Sequence, residues 1–109
     1  MKYFIKNSQR EGTFYHEFYK GHWDEKTFWS DNSIYLEDSH LCMDLVDAIT
    51  AVVPYYDSFN TTEISANQWA LIGQLIITKD EKTQAIYAEA NEWLKEVFKE
   101  YDCFTILGI

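Results

Sequence analysis

The stretch Ile64-Ser65-Ala66-Asn67-Gln68-Trp69-Ala70-Leu71-Ile72-Gly73-Gln74-Leu75-Ile76-Ile77 decides how the rest of the chain is read. Ser65 and Gln68 stand at capping-box spacing, in which a hydroxyl and an amide side chain satisfy each other's free backbone N–H groups. Ile64 and Trp69 occupy the two staple positions around that box. This is the strongest helix start in the sequence. Trp69 to Ile77 is apolar almost all round, which predicts a central, buried helix. Gly73 costs that helix about 1 kcal/mol of propensity, a cost that a close contact against its backbone would explain.

Downstream, Thr78 and Glu81 repeat the cap spacing and predict a further helix to about Tyr101. Ile86, Ala90, Trp93, Leu94, Val97 and Phe98 form its buried stripe, and Glu89, Glu92, Lys95, Glu96, Lys99 and Glu100 its wet face. The chain then ends on Cys103-Phe104-Thr105-Ile106-Leu107-Gly108-Ile109. An apolar, β-prone run in this place reads as a strand docked into a sheet, beside the first strand, because undocked termini fray.

Upstream, Leu41, Cys42, Leu45, Val46, Ile49, Val52 and Val53 paint one face of another helix. Pro54 disfavours helical geometry at Val53 and stops it there. Tyr55 to Asn60 reads as an aromatic connection. In the N-terminal third, Lys2 to Asn7 reads as an opening strand. Thr13 to Tyr19 alternates, with Phe14, His16 and Phe18 on one face and Tyr15, Glu17 and Tyr19 on the other. Lys26 to Trp29 and Ser33 to Glu37 flank the turn-forming Ser30-Asp31-Asn32 and suggest a hairpin. The sum is an α+β domain spanning residues 1–109, in which a small antiparallel or mixed sheet of N-terminal strands plus a C-terminal strand packs on about three helices.

The 109 residues carry nine basic and eighteen acidic side chains, a net charge of −9. Its distribution is uneven. Residues 1–10 hold Lys2, Lys6 and Arg10 and no acid, whereas residues 11–63 hold eleven acids against Lys20 and Lys26. Direct binding to nucleic-acid phosphates or to an anionic membrane surface is disfavoured, because both draw on basic residues. A basic protein partner is favoured, since a surface of one sign steers its opposite. No apolar run approaches a bilayer span, and Met1 to Asn7 lacks the apolar core of a signal peptide. With no C-x-x-C pair, Cys42 and Cys103 read as two buried thiols in a cytoplasmic protein rather than a bridge.

A search for chemistry finds no constellation and implies no cofactor. The histidines, His16, His22 and His40, fall in no zinc motif, and His22-Trp23-Asp24 reads as a turn bearing a solvated histidine. His40 and Cys42 lie two apart on a helix and so face apart. No G-x-S-x-G motif and no phosphate-binding glycine loop is present. What stands out is the mixture of acids with Tyr and Trp between residues 11 and 38. Those two aromatics are the usual anchors of protein interfaces. The candidate partner-binding residues are therefore Glu17, Tyr19, Trp23, Asp24, Glu25, Asp31, Glu37 and Asp38, with Asp44 and Asp47 on the polar side of the first helix.

Tyr56-Asp57-Ser58-Phe59, Thr62-Glu63-Ile64-Ser65, Trp69, Trp93-Leu94 and Phe104-Thr105-Ile106-Leu107-Gly108-Ile109 together resemble immunity proteins of bacterial polymorphic-toxin systems, particularly those of contact-dependent growth inhibition. The resemblance covers the C-terminal half and carries no binding residue with it. It implies a small cytoplasmic inhibitor, monomeric when it acts, that binds and neutralises the C-terminal domain of a cognate toxin. A basic nuclease would suit the charge. An acidic adaptor or nucleic-acid mimic is the alternative, and a small enzyme, which needs a cleft or a bound metal, is a third.

Overall fold

The computed structural model describes residues 1–108. Five strands, β1 (Phe4–Ile5), β2 (Tyr15–Lys20), β3 (Ile34–Glu37), β4 (Thr61–Ser65) and β5 (Cys103–Leu107), form one open sheet in the order β1-β3-β2-β5-β4. Every pairing is antiparallel. Three helices, α1 (Met43–Val52), α2 (Ala66–Ile76) and α3 (Glu81–Glu100), supply the second layer. The α+β class follows as expected.

The core lies between helices and sheet. Phe18, Leu36, Ile64, Phe104 and Ile106 project from the strands against Leu45, Ile49, Ile72, Ile86, Leu94 and Val97 from the helices, all at most 2% exposed. Phe4, Phe18 and Phe104 make a chain of aromatic contacts through this layer, with ring centroids 5.0 and 5.4 Å apart. Burial of such side chains, at about 1.5–3 kcal/mol each, is the dominant stabilising term.

The capping box forms at α2. Ser65 Oγ accepts from the Gln68 amide at 3.1 Å, and Gln68 Oε1 accepts from the Ser65 amide at 2.9 Å. Gly73 also has the expected close contact: an added Cβ would lie 2.3 Å from the Tyr87 hydroxyl. The Tyr87 ring stacks on Trp69 at 4.4 Å, and its hydroxyl donates to the Trp69 carbonyl. Helix α1 ends with Val53 as its C-cap, directly before Pro54.

Several expectations are corrected. Helix α2 is not buried all round: Leu71, Leu75 and Ile77 are 50%, 39% and 72% exposed, because only α1, α3 and β4 cover it. The cap of α3 is Asp80, whose carboxylate accepts from the Thr83 amide at 2.8 Å, rather than Thr78. Glu89, assigned to the wet face, turns in and accepts backbone N–H groups from Lys2, Tyr3 and Phe4 at 2.9–3.1 Å. Only Phe4–Ile5 of the opening run is a strand; a 3-10 turn follows at Asn7–Gln9.

The terminal run pairs with β2 and β4, away from β1. Strand β4 itself is unanticipated, because Ile64 and Ser65 read first as the approach to a helix. Its alternate burial, with Thr62 and Ile64 in and Thr61 and Glu63 out, is ordinary strand periodicity. Ile109, the last residue of the terminal run, lies outside the described residues.

A candidate partner-binding loop

No hairpin forms around Ser30-Asp31-Asn32. Strand β3 pairs with β2, and the thirteen residues 21–33 between them form a loop that folds back over the sheet face opposite the helices. The cause is Glu17. Strand alternation sends it to that face, where it is 2% exposed. Its carboxylate accepts from the Trp29 amide at 2.8 Å, the Ser30 amide at 3.1 Å and Ser33 Oγ at 2.7 Å. Three donors on one carboxylate are enough to hold a loop that has no ladder of its own.

Other groups fix the same end of the loop. The Tyr35 hydroxyl donates to the Ser30 carbonyl at 2.6 Å, and the Tyr35 ring stacks on Trp29 with 5.8 Å between centroids. Arg10 lies 3.8 Å above the Trp29 ring as a cation–π partner. Asn7 Nδ2 donates to the Trp29 carbonyl and to Asp31 Oδ1. Burial, reinforced by the charge of Glu17, pushes the Tyr35 phenol well above its ordinary value.

The loop tip is built differently. Asp24 Oδ1 accepts from the Lys26 and Thr27 amides and Oδ2 from Thr27 Oγ1, at 2.5–2.9 Å. These bonds hold its carboxyl below the usual range. Trp23 Nε1 donates to the Thr27 carbonyl at 2.6 Å, and its ring meets Phe28 edge-on at 5.1 Å. Glu25 and Trp29 have φ of +64° and +59°, a region that L-residues seldom enter. Strain of this kind survives only where surrounding contacts over-determine the conformation, and it concentrates at binding sites.

The ten candidate residues therefore separate. Trp23, Asp24 and Glu25 meet at the loop tip, with Tyr19 beneath them. Tyr19 is half-buried, and its phenol is raised by desolvation and by the charge of Asp24. Asp31 is exposed on the returning arm. Glu17 is removed from the surface by its burial, so its role is to hold the loop. Glu37 and Asp38 lie at the far end of β3 from the loop, where Asp38 Oδ1 is 2.8 Å from the buried His16 Nε2. Asp44 and Asp47 belong to α1, on the helix side of the sheet.

Sequence reading missed Phe28, which is 58% exposed at the tip. It also missed a second grouping at the loop's other root. His22 Nδ1 is hydrogen-bonded to Glu63 Oε1 and lies 3.7 Å from Cys103 Sγ, with Asp102 alongside. No sequence signal could have found it, since its members are 41 and 81 positions apart.

A cleft of about 300 Å³ lies between β1 and α3, lined by Phe4, Ile5, Ile34 and Trp93, with Lys6, Gln9 and Glu92 as polar groups. Both cysteines are free thiols, Cys103 buried and Cys42 half-buried. Among the described residues no helix is long and apolar enough to cross a membrane. Comparison with protein-family models, with curated proteins and with solved structures returns no match to this chain.

Proposed function

We propose that the chain is an immunity protein: a cytoplasmic, monomeric inhibitor that binds the C-terminal domain of a cognate toxin, a basic nuclease, through the loop at residues 21–33. One observation carries this reading. The loop presents Asp24, Glu25, Trp23 and Phe28 together at a tip that Asp24 pins and whose backbone is strained at Glu25, while the buried Glu17 holds the returning arm at Trp29 and Ser30. A preformed loop loses little entropy on binding. Its aromatics supply anchor area, and its acids select a basic partner.

The adaptor or nucleic-acid-mimic reading draws on a different observation, the spread of acids to Glu37, Asp38 and Asp47 well away from the loop. The two readings separate by experiment. Cells expressing the toxin domain encoded beside this chain are grown with and without it, and the pair is tested for a stable complex. Rescue together with a complex, both lost in Asp24→Lys/Glu25→Lys while circular dichroism is unchanged, is the expected result. Failure of rescue and of complex formation by the folded protein removes the immunity reading.

A further inference from the structure

Three side chains able to ligate a metal, His22, Asp102 and Cys103, meet at the root of the loop with Glu63 hydrogen-bonded to His22 beside them, and the four come from three neighbouring strands and their ends. Cys103 opens β5. Asp102 precedes it. Glu63 projects from the middle of β4, and His22 follows the end of β2 by two residues. The register explains the convergence. Ser65 pairs with Cys103 and Glu63 with Thr105, so the side chains of Glu63 and Cys103 emerge on the same, outer face of the sheet. Lys20 pairs with Phe104, which brings the chain at Gly21 alongside Cys103. Thr105 Oγ1 donates to the Gly21 carbonyl at 2.8 Å and fixes that approach. Gly21 itself has φ +68° and is packed on the Tyr101 ring, so the backbone turns sharply there and returns His22 over the strand ends.

The distances among His22, Asp102 and Cys103 suit a single ion. The ligating atoms of His22, Asp102 and Cys103 all lie within 4.8 Å of one another. The edge from Cys103 Sγ to His22 Nδ1 is 3.7 Å. A tetrahedral zinc with Zn–S and Zn–N bonds of about 2.3 and 2.05 Å has an S···N edge of about 3.6 Å. The same Nδ1 that faces the thiol also bonds Glu63 Oε1, so the imidazole already aims its ligating nitrogen into the group. Thiolate with imidazole and carboxylate is a donor set for zinc and its analogues rather than for calcium or magnesium, which take oxygen alone.

We propose that His22, Asp102 and Cys103, with Glu63 at the fourth position, bind one thiophilic divalent cation of the zinc class. The ion joins β2, β4 and β5 through their residues or ends and fixes His22, the second residue of the loop. This site stands independently of the immunity reading. Electrostatics favour it, because two carboxylates beside a buried thiol repel further negative charge, and a divalent cation reverses that balance. Without the ion, burial and the charges of Glu63 and Asp102 push the Cys103 thiol up to about 11. On binding, the S–H proton leaves to solvent as the sulfur–metal bond forms, so affinity rises with pH.

The test uses the full chain, stripped of metal by chelation and titrated with Co²⁺. Expected are one equivalent bound, a thiolate-to-cobalt charge-transfer band in the near ultraviolet, and displacement of that band by Zn²⁺. Cys103→Ser should abolish the band while Cys42→Ser leaves it intact. Asp102→Asn and His22→Gln should each weaken binding by more than about tenfold, because even outer-shell groups are worth 10–100-fold at metal sites. Absence of the band from folded wild-type protein overturns the proposal and leaves a His22–Glu63 hydrogen bond above a buried thiol. A band that survives Cys103→Ser overturns it equally.

Discussion

At the scale of single residues, Gly73 is a case where propensity and packing disagree. Replacing it with Ala should gain about 1 kcal/mol in an exposed helix. Here the new methyl would sit 2.3 Å from the Tyr87 hydroxyl and 2.7 Å from its ring carbon. The ring cannot step aside without losing its stack on Trp69 and its bond to the Trp69 carbonyl. Those interactions are worth about 0.5–1.5 kcal/mol each. Gly73→Ala is therefore expected to destabilise the protein by about 1 kcal/mol, read as a lower urea midpoint. In a Tyr87→Ala background, where nothing remains to displace, the same substitution should become stabilising. Cys103 makes a second residue-level prediction. Burial and the charges of Glu63 and Asp102 push the thiol up to about 11, so it stays protonated through neutral pH in metal-free protein. Peptide mapping after iodoacetamide treatment should show Cys103 unmodified at about pH 8 and labelled only as pH approaches 11, since the thiolate is the reactive form.

Among the elements, the instructive one is the loop over residues 21–33. Glu17 holds it, and Gln in that place keeps the shape of the side chain while turning one oxygen into a donor. An NH₂ group would then face either the Trp29 amide or the Ser30 amide and Ser33 Oγ, in a site that water does not reach. Glu17→Gln should cost about 2–4 kcal/mol, in line with losing charge-assisted bonds and stranding a buried donor. Hydrogen exchange should place the change first at the Trp29 and Ser30 amides, before the core strands. Glu89→Ala should likewise release the Lys2, Tyr3 and Phe4 amides, which now bond its carboxylate, and fray β1.

Helices were legible in the sequence because their signals are local. Ser65 with Gln68, Pro54, and the stripe from Ile86 to Phe98 each act within a few residues. Strand β4 was hidden, because Ile64-Ser65 serves strand, staple and cap at once. The loop was not legible either. What folds it back is a carboxylate twelve residues away, and the alternation that exposes Glu17 to one face cannot say that this face will be covered. For the candidate site, composition singled out residues 11–38, and the fold gathers Trp23, Asp24 and Glu25 near Tyr19. Composition could not separate them from Glu37, Asp38, Asp44 and Asp47, which topology carries elsewhere.

For the molecule as a whole, helices cover one face of the sheet and the loop covers the middle of the other, leaving Glu37 and Glu63 exposed. That arrangement puts α1 and the loop on opposite sides and allows the overall field to be separated from the local surface. Asp24→Lys/Glu25→Lys and Asp44→Lys/Asp47→Lys each change the net charge from −9 by the same four units, to −5. Long-range steering depends on total charge and is screened over about 8 Å at about 0.15 M salt. Contact energy depends on where the partner sits. If the loop tip is the contact surface, the loop pair should weaken toxin binding by well over about tenfold, mainly by faster dissociation. The helix pair should slow association at low salt and change affinity by less than about threefold at about 0.15 M. Surface plasmon resonance at two salt concentrations resolves both rates. Equal losses from the two pairs, vanishing together as salt rises, would mean that the partner reads only the field of the molecule. The protein would then be an acidic decoy for basic surfaces, and the preformed shape of the loop would have no part in recognition.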